Sequence, residues 1–222
     1  MFNHIKLEDK LQELEVETLP TGRTYKTPDG NKYPSVTTVL GEEGKAGILA
    51  WRKRVGEEEA NRISFQASSR GTSVHTLAEN YINNDPEWSK GAMPTTIHSF
   101  NQIKSILDER MNNVYAQEVP LYSNKLEVAG RVDLIAEWDK DLAIIDFKTA
   151  RKPKKEEWIQ GYFMQCAFYA AAFYERTGVA IKKSVILITV DHNEPQVFIT
   201  KPYDYLGEFI KIRQKYRNIH GF

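Results

Sequence analysis

Gly130-Arg-Val-Asp-Leu-Ile-Ala-Glu-Trp-Asp-Lys-Asp-Leu-Ala-Ile-Ile-Asp-Phe-Lys-Thr149 is the stretch that decides the fold. Its apolar runs, Val128 to Trp138 and Leu142 to Thr149, read as strands. With Asp139 and Lys140 as a two-residue turn, they close into an antiparallel hairpin. Trp138 then faces Asp141, Ile135 faces Ile144, Asp133 faces Asp146 and Arg131 faces Lys148. Directly opposed residues share one side of a sheet, with Cβ atoms ~5 Å apart. One side carries Val132 with Phe147, Leu134 with Ile145 and Ala136 with Ala143, an apolar face for the core. The other sets two carboxylates against each other beside a lysine. Like charges that close destabilise a sheet unless something offsets them. A divalent cation does so, and carboxylate oxygens favour a hard ion such as Mg²⁺ or Mn²⁺. The register is an assumption, because Asp-Lys lacks the glycine usual in such turns. One extra loop residue on one side would send the acids to opposite faces. The competing reading is a solvent-facing Asp133 and a surface ion pair between Asp146 and Lys148.

Working outward, Val114 to Tyr122 reads as a preceding strand. A four-residue loop, Asn124 to Glu127, sets Glu118 opposite Asp133. Glu118 is then either a third carboxylate of the site or an ordinary exposed acid. His75 lies in a helical stretch with Glu79 one turn later. It can complete a metal shell, although a lone helical histidine is more often structural. Gln165 and Tyr169 stand four apart on the helix after the sheet and flank its buried side, as substrate contacts or as a polar rim. Arg151, Lys152, Lys154 and Lys155 follow the motif strand, where they can meet phosphates or simply be solvated.

The remaining elements follow from period and punctuation. A helix is expected over residues 3–16, then a hairpin around Pro28-Asp29-Gly30. A long helical stretch over residues 47–83 is expected to break at Gly56 and at Ser68 to Gly71, and another helix covers residues 96–112. After the three strands come a helix over residues 155–177, strands at 184–190 and 196–200, and a helix over residues 203–218. This order predicts an α/β fold with a central mixed sheet flanked by helices. The 222 residues read as one domain, with residues 1–113 as a hairpin and helical elaboration on a catalytic core at 114–222. Hydrophobic residues at 41% suffice for a sizeable core. No apolar run nears the ~20 residues of a membrane span. The acidic N-terminus lacks the basic start of a signal peptide, so a cytoplasmic location is expected. Cys166 is the single cysteine, which excludes an intrachain disulfide and a cysteine-ligated zinc or iron–sulfur site. Lysine plus arginine and aspartate plus glutamate both total 30, a balance that argues against a DNA-coating protein and suits a local basic groove.

Gly130-Arg-Val-Asp133, Asp146-Phe-Lys-Thr149 and Gln165-x-x-x-Tyr169 together resemble the PD-(D/E)xK nuclease superfamily. The upstream His75 and the motif order resemble its RecB-like branch. Pro34-Ser-Val-Thr37 and Arg70-Gly-Thr-Ser-Val-His75 are similar to exonucleases of mitochondrial genome maintenance and to related phage exonucleases. The resemblance spans about residues 33–190. It implies a restriction-endonuclease-like core and a Mg²⁺-dependent hydrolase, with Mn²⁺ able to substitute. It implies Asp133, Asp146, His75 and the Phe147 carbonyl as metal ligands, Lys148 as the residue that positions the attacking water, and Glu118 as a less secure catalytic member. Substrate contacts are carried over to Gln165, Tyr169, Arg70, Arg131, Thr149 and Ser35. RecB-like relatives that hold an iron–sulfur cluster carry four cysteines, so no such cluster is expected here. The implied substrate is single-stranded DNA with a free end, which the helical region over residues 47–112 could admit as an arch or lid. The implied setting is replication, recombination or repair, in a host cytoplasm if the gene belongs to a phage. Two other readings stay open: a non-cutting DNA-binding accessory module, and a sequence-specific endonuclease on the same fold.

Overall fold

The structure, a computed structural model, describes residues 1–7 and 11–221. Two sheets form. The smaller has the order β1-β2-β3, from Glu15–Leu19, Gly22–Lys26 and Lys32–Pro34. The larger has the order β4-β5-β6-β7-β8, from Met111–Ser123, Val128–Trp138, Asp141–Ala150, Lys183–Val190 and Gln196–Thr200. The helices are α1 (Val36–Val55), α2 (Glu57–Ile82), α3 (Pro94–Arg110), α4 (Gln160–Thr177) and α5 (Leu206–His220). The expected α/β architecture with a mixed sheet is therefore present: β6 and β7 are parallel, joined through α4, and the other neighbours are antiparallel.

The β5–β6 turn closes at Asp139 and Lys140, with φ of 49° and 71°. Both residues occupy the left-handed region, as a two-residue hairpin turn requires, although neither is glycine. Five rungs follow in the expected register, from Trp138–Asp141 to Leu134–Ile145. The next expected rungs, Asp133–Asp146 and Arg131–Lys148, do not form. The Phe147 amide instead donates to the Asp133 carboxylate at 2.8 Å. The strands splay there, and the two cations that the register would have opposed each pair with an acid, Arg131 with Glu13 and Lys148 with Asp146.

Apolar residues cover both faces of the large sheet. Leu134, Ala136, Ala143, Ile145 and Phe147 pack with Leu77, Phe100, Ile103 and Leu107 of α2 and α3. Ile135, Ile144, Ile186 and Ile188 pack with Phe163, Phe173 and Phe209 of α4 and α5. The side expected to be polar thus also carries buried apolar residues, Ile135 and Ile144.

The helices start and stop for local reasons. Ser35 caps α1 by accepting from the Thr38 amide at 3.0 Å. Gly56, at φ 88°, ends α1 and begins α2. Arg52, Lys53 and Arg54 sit in the last turn of α1, and Glu57, Glu58 and Glu59 in the first turn of α2, each complementing the helix dipole. The second expected break, at Ser68 to Gly71, is absent; Ser73 returns its hydroxyl to the Ser69 carbonyl within a continuous helix. The expected helix over residues 3–16 is also corrected. Residues 8–10 lie outside the described residues, and Glu15–Leu19 forms β1, with Val16 paired to Tyr25. Pairing with β2 overrides the local helical period there. Among the described residues, no helix is long and apolar enough to cross a membrane.

Candidate active site

Three strands and one helix converge where β5 and β6 splay. Asp133 comes from β5, Asp146, Phe147 and Lys148 from β6, Glu118 from β4 and His75 from α2. The β4–β5 register is the expected one at Glu118: Ser123 faces Val128, and Val119–Val132 and Gln117–Leu134 flank the acid. Glu118 itself has φ 50°. A non-glycine residue in that region costs backbone energy and persists where surrounding contacts enforce it. Here the Arg131 guanidinium donates to the Glu118 carbonyl.

His75, Glu118 and Asp133 bring one donor atom each to within 4.8 Å of one another. His75 Nδ1 lies 3.7 Å from Asp133 Oδ2 and 4.0 Å from Glu118 Oε1. Its other ring nitrogen donates to the Phe147 carbonyl at 2.8 Å. Burial favours a neutral ring, but the Glu118 and Asp133 carboxylates outweigh it and raise the His75 pKa to about 9. The metal-free ring is therefore a cation at neutral pH.

Asp146 stands outside that group of three and is only 1% exposed. Neither of its carboxylate oxygens has a hydrogen bond of good geometry, and its charge partner is the Lys148 ammonium. Burial pushes its pKa up to about 6 even beside that cation. Burial alone would lower the Lys148 pKa; Asp146 and Asp133 reverse this and hold it above the usual lysine range. Lys148 also lies 5.0 Å over the ring of Tyr162. No spacing signal in the sequence links Tyr162 to Lys148. Cys166, fully buried on α4, has its thiol pKa pushed well up by burial.

The other expected contacts divide. Tyr169 donates its hydroxyl to the Arg131 carbonyl at 2.6 Å and accepts a long 3.4 Å bond from Gln165. The pair therefore braces β5 two residues before Asp133. Gly130 makes this possible: a Cβ there would lie 3.0 Å from the Tyr169 ring and 2.9 Å from Val36. Arg70 pairs with Asp191 at 2.8 Å and donates to Thr149 at 3.4 Å. Asp191 had no signal in the sequence. Arg151 donates to Gln66 at 3.0 Å. Arg131 directs its guanidinium to Glu13, and Ser35 uses its hydroxyl on the α1 cap.

The chain is similar to several known proteins. The family described as the PD-(D/E)XK nuclease superfamily matches residues 48–217. Mitochondrial genome maintenance exonuclease 1 of Mus musculus is 26% identical over 132 residues, which are 56% of this chain and 39% of that protein. Its counterpart in Xenopus tropicalis is 25% identical over 179 residues, 72% of this chain and 49% of that protein. The chain thus spans half or less of the length of these relatives. A solved Eubacterium rectale protein, proposed to be an exonuclease, overlaps 67% of this chain and 64% of its own at 16% identity and a TM-score of 0.46. The superfamily is one of nucleases that use divalent metals, and the three-donor group here is a candidate place for such an ion. With its motif residues gathered at one sheet fork and its profile matched over most of its length, the chain belongs to the PD-(D/E)XK nuclease superfamily.

Proposed function

We propose that this chain is a divalent-metal-dependent deoxyribonuclease, an exonuclease that hydrolyses phosphodiester bonds of single-stranded DNA from a free end. Its proposed setting is replication, recombination or repair. The observation that carries the reading is a three-donor group beside a buried acid–lysine pair. The donors fit a hard ion: carboxylates supply oxygen, and an imidazole is tolerated by Mn²⁺ and Mg²⁺. His75, Glu118 and Asp133 would hold Mg²⁺ or Mn²⁺, while the Phe147 carbonyl orients the His75 ring from its other nitrogen. Asp146, paired with Lys148, would supply a further carboxylate. Such an ion lowers the pKa of a water and neutralises charge building on a phosphate.

The side chains do the rest. Lys148, held charged by Asp146, is a poor base and a good hydrogen-bond donor, so it orients the attacking water and stabilises phosphate charge. Asp133 locks the Phe147 amide and so fixes the β6 backbone at the site. Gln165 and Tyr169 position β5. The names of the two vertebrate relatives support attack from an end.

The test is end-labelled single-stranded DNA, linear and circular, with Mg²⁺, Mn²⁺ or EDTA, for wild type and Asp146→Ala. Metal-dependent loss of the linear form alone, absent in the variant, is expected. Cleavage of the circle would overturn end-dependence. Binding without cleavage of either form would point to a non-cutting accessory module.

A further inference from the structure

Beside the site, α2 and the head of α3 enclose a groove of about 650 Å³, within the usual size range of ligand sites. We propose that this groove seats an unpaired nucleobase of the substrate strand, with Phe65 as the stacking platform and Met93 as the second apolar surface. The proposal rests on the nucleic-acid reading given above and assigns that site a base-binding subsite.

Three observations carry it. Phe65 is 74% exposed and Met93 69%, so folding buries neither, yet both line the same groove. Exposed apolar groups gathered in a concave site mark an interaction surface. Second, the lining sets polar groups beside that apolar surface. Arg70, His98, Gln66 and His192 face the groove and can hydrogen-bond the edge of a base, and its one carboxylate, Asp191, is neutralised by Arg70. Third, the groove is continuous with the site. Arg70 reaches Thr149, the residue after Lys148, and Gln66 accepts from Arg151 two residues further on. The same helix that lines the groove through Ser73 carries His75 two residues later. A strand with its phosphate at the acids can thus lay a base further along against Phe65, about 15 Å from His75 along α2. An aromatic face takes any base, so this seat binds without reading sequence.

The experiment is a fluorescence titration in EDTA, using single-stranded oligonucleotides with 2-aminopurine at successive positions, for wild type, Phe65→Ala and Phe65→Trp. Cleavage kinetics with Mg²⁺ are measured in parallel. Wild type and Phe65→Trp are expected to quench one position, and Phe65→Ala to lose that quenching with roughly tenfold weaker binding. KM should rise by a similar factor, with kcat within about twofold. Equal affinity and quenching in Phe65→Ala, or no quenched position in wild type, would overturn the proposal. Cleavage without Phe65-dependent quenching rejects the base seat and leaves the nuclease reading intact. Phe65-dependent quenching without cleavage does the reverse.

Discussion

The two ends of the β5–β6 hairpin are built from the same strands and do opposite things. At the turn end, five rungs pair in strict register and Leu134, Ala136, Ala143 and Ile145 are fully buried. The cost there is confined to two residues with positive φ. At the open end the rungs stop, an acid accepts a backbone amide, and a buried carboxylate faces a lysine ammonium. A complete ladder uses up the amides and carbonyls of both strands. A site that needs free donors and oxygens has to sit where the ladder ceases, and the turn end supplies the rigidity that holds it open.

Four perturbations probe that contrast. The largest effect is expected from Asp133→Asn, which keeps an acceptor for Phe147 but removes a carboxylate charge from the proposed metal site. Cleavage should fall on the order of 10³-fold while the melting temperature stays close to wild type. Near-normal cleavage would break the contrast at its open end. One residue away, Leu134→Ala should do the converse: about 2–5 kcal/mol less stable in denaturant unfolding, with kcat of the folded fraction retained.

The third perturbation is pH. The His75 pKa is raised from 6.5 to about 9, so its contribution to stability is fully present below pH 6.5 and is lost as pH rises through 9. Metal-free protein should lose up to about 3 kcal/mol across that window, and His75→Gln should flatten the slope. Asp146, also raised, adds a loss of the same sign between about pH 4 and 6. Divalent ions should raise the melting temperature more at pH 9 than at pH 6.5, because binding displaces the His75 proton. The smallest effect is Lys140→Gly, which relieves φ 71° at the turn and should stabilise by about 0.5–1 kcal/mol, with cleavage unchanged.

What was legible in the sequence follows the same division. Alternation and loop length gave the turn-end register and the opposition of Glu118 to Asp133, because both are local consequences of strand period. The splay beyond Leu134 was not legible, since the alternation continues through Lys148 while the pairing does not. Ile135 and Ile144 already spoke against a wholly polar face; they are buried under α4 and α5. The approach of His75 to Phe147 joins residues 72 apart, and no spacing rule reaches that far. The Gln165–Tyr169 spacing was visible, but the carbonyl that Tyr169 holds was not. The acidic N-terminal stretch misled because its β1 pairing depends on a partner strand rather than on its own period.

Cys166 lies under the acid–lysine pair, sealed from solvent and held as the unreactive thiol. Thiolate, not thiol, attacks alkylating reagents. The chain therefore carries a built-in clock: the rate at which a thiol reagent modifies it counts how often the floor of the β5–β6 fork comes apart, with no label added and no other cysteine to blur the signal.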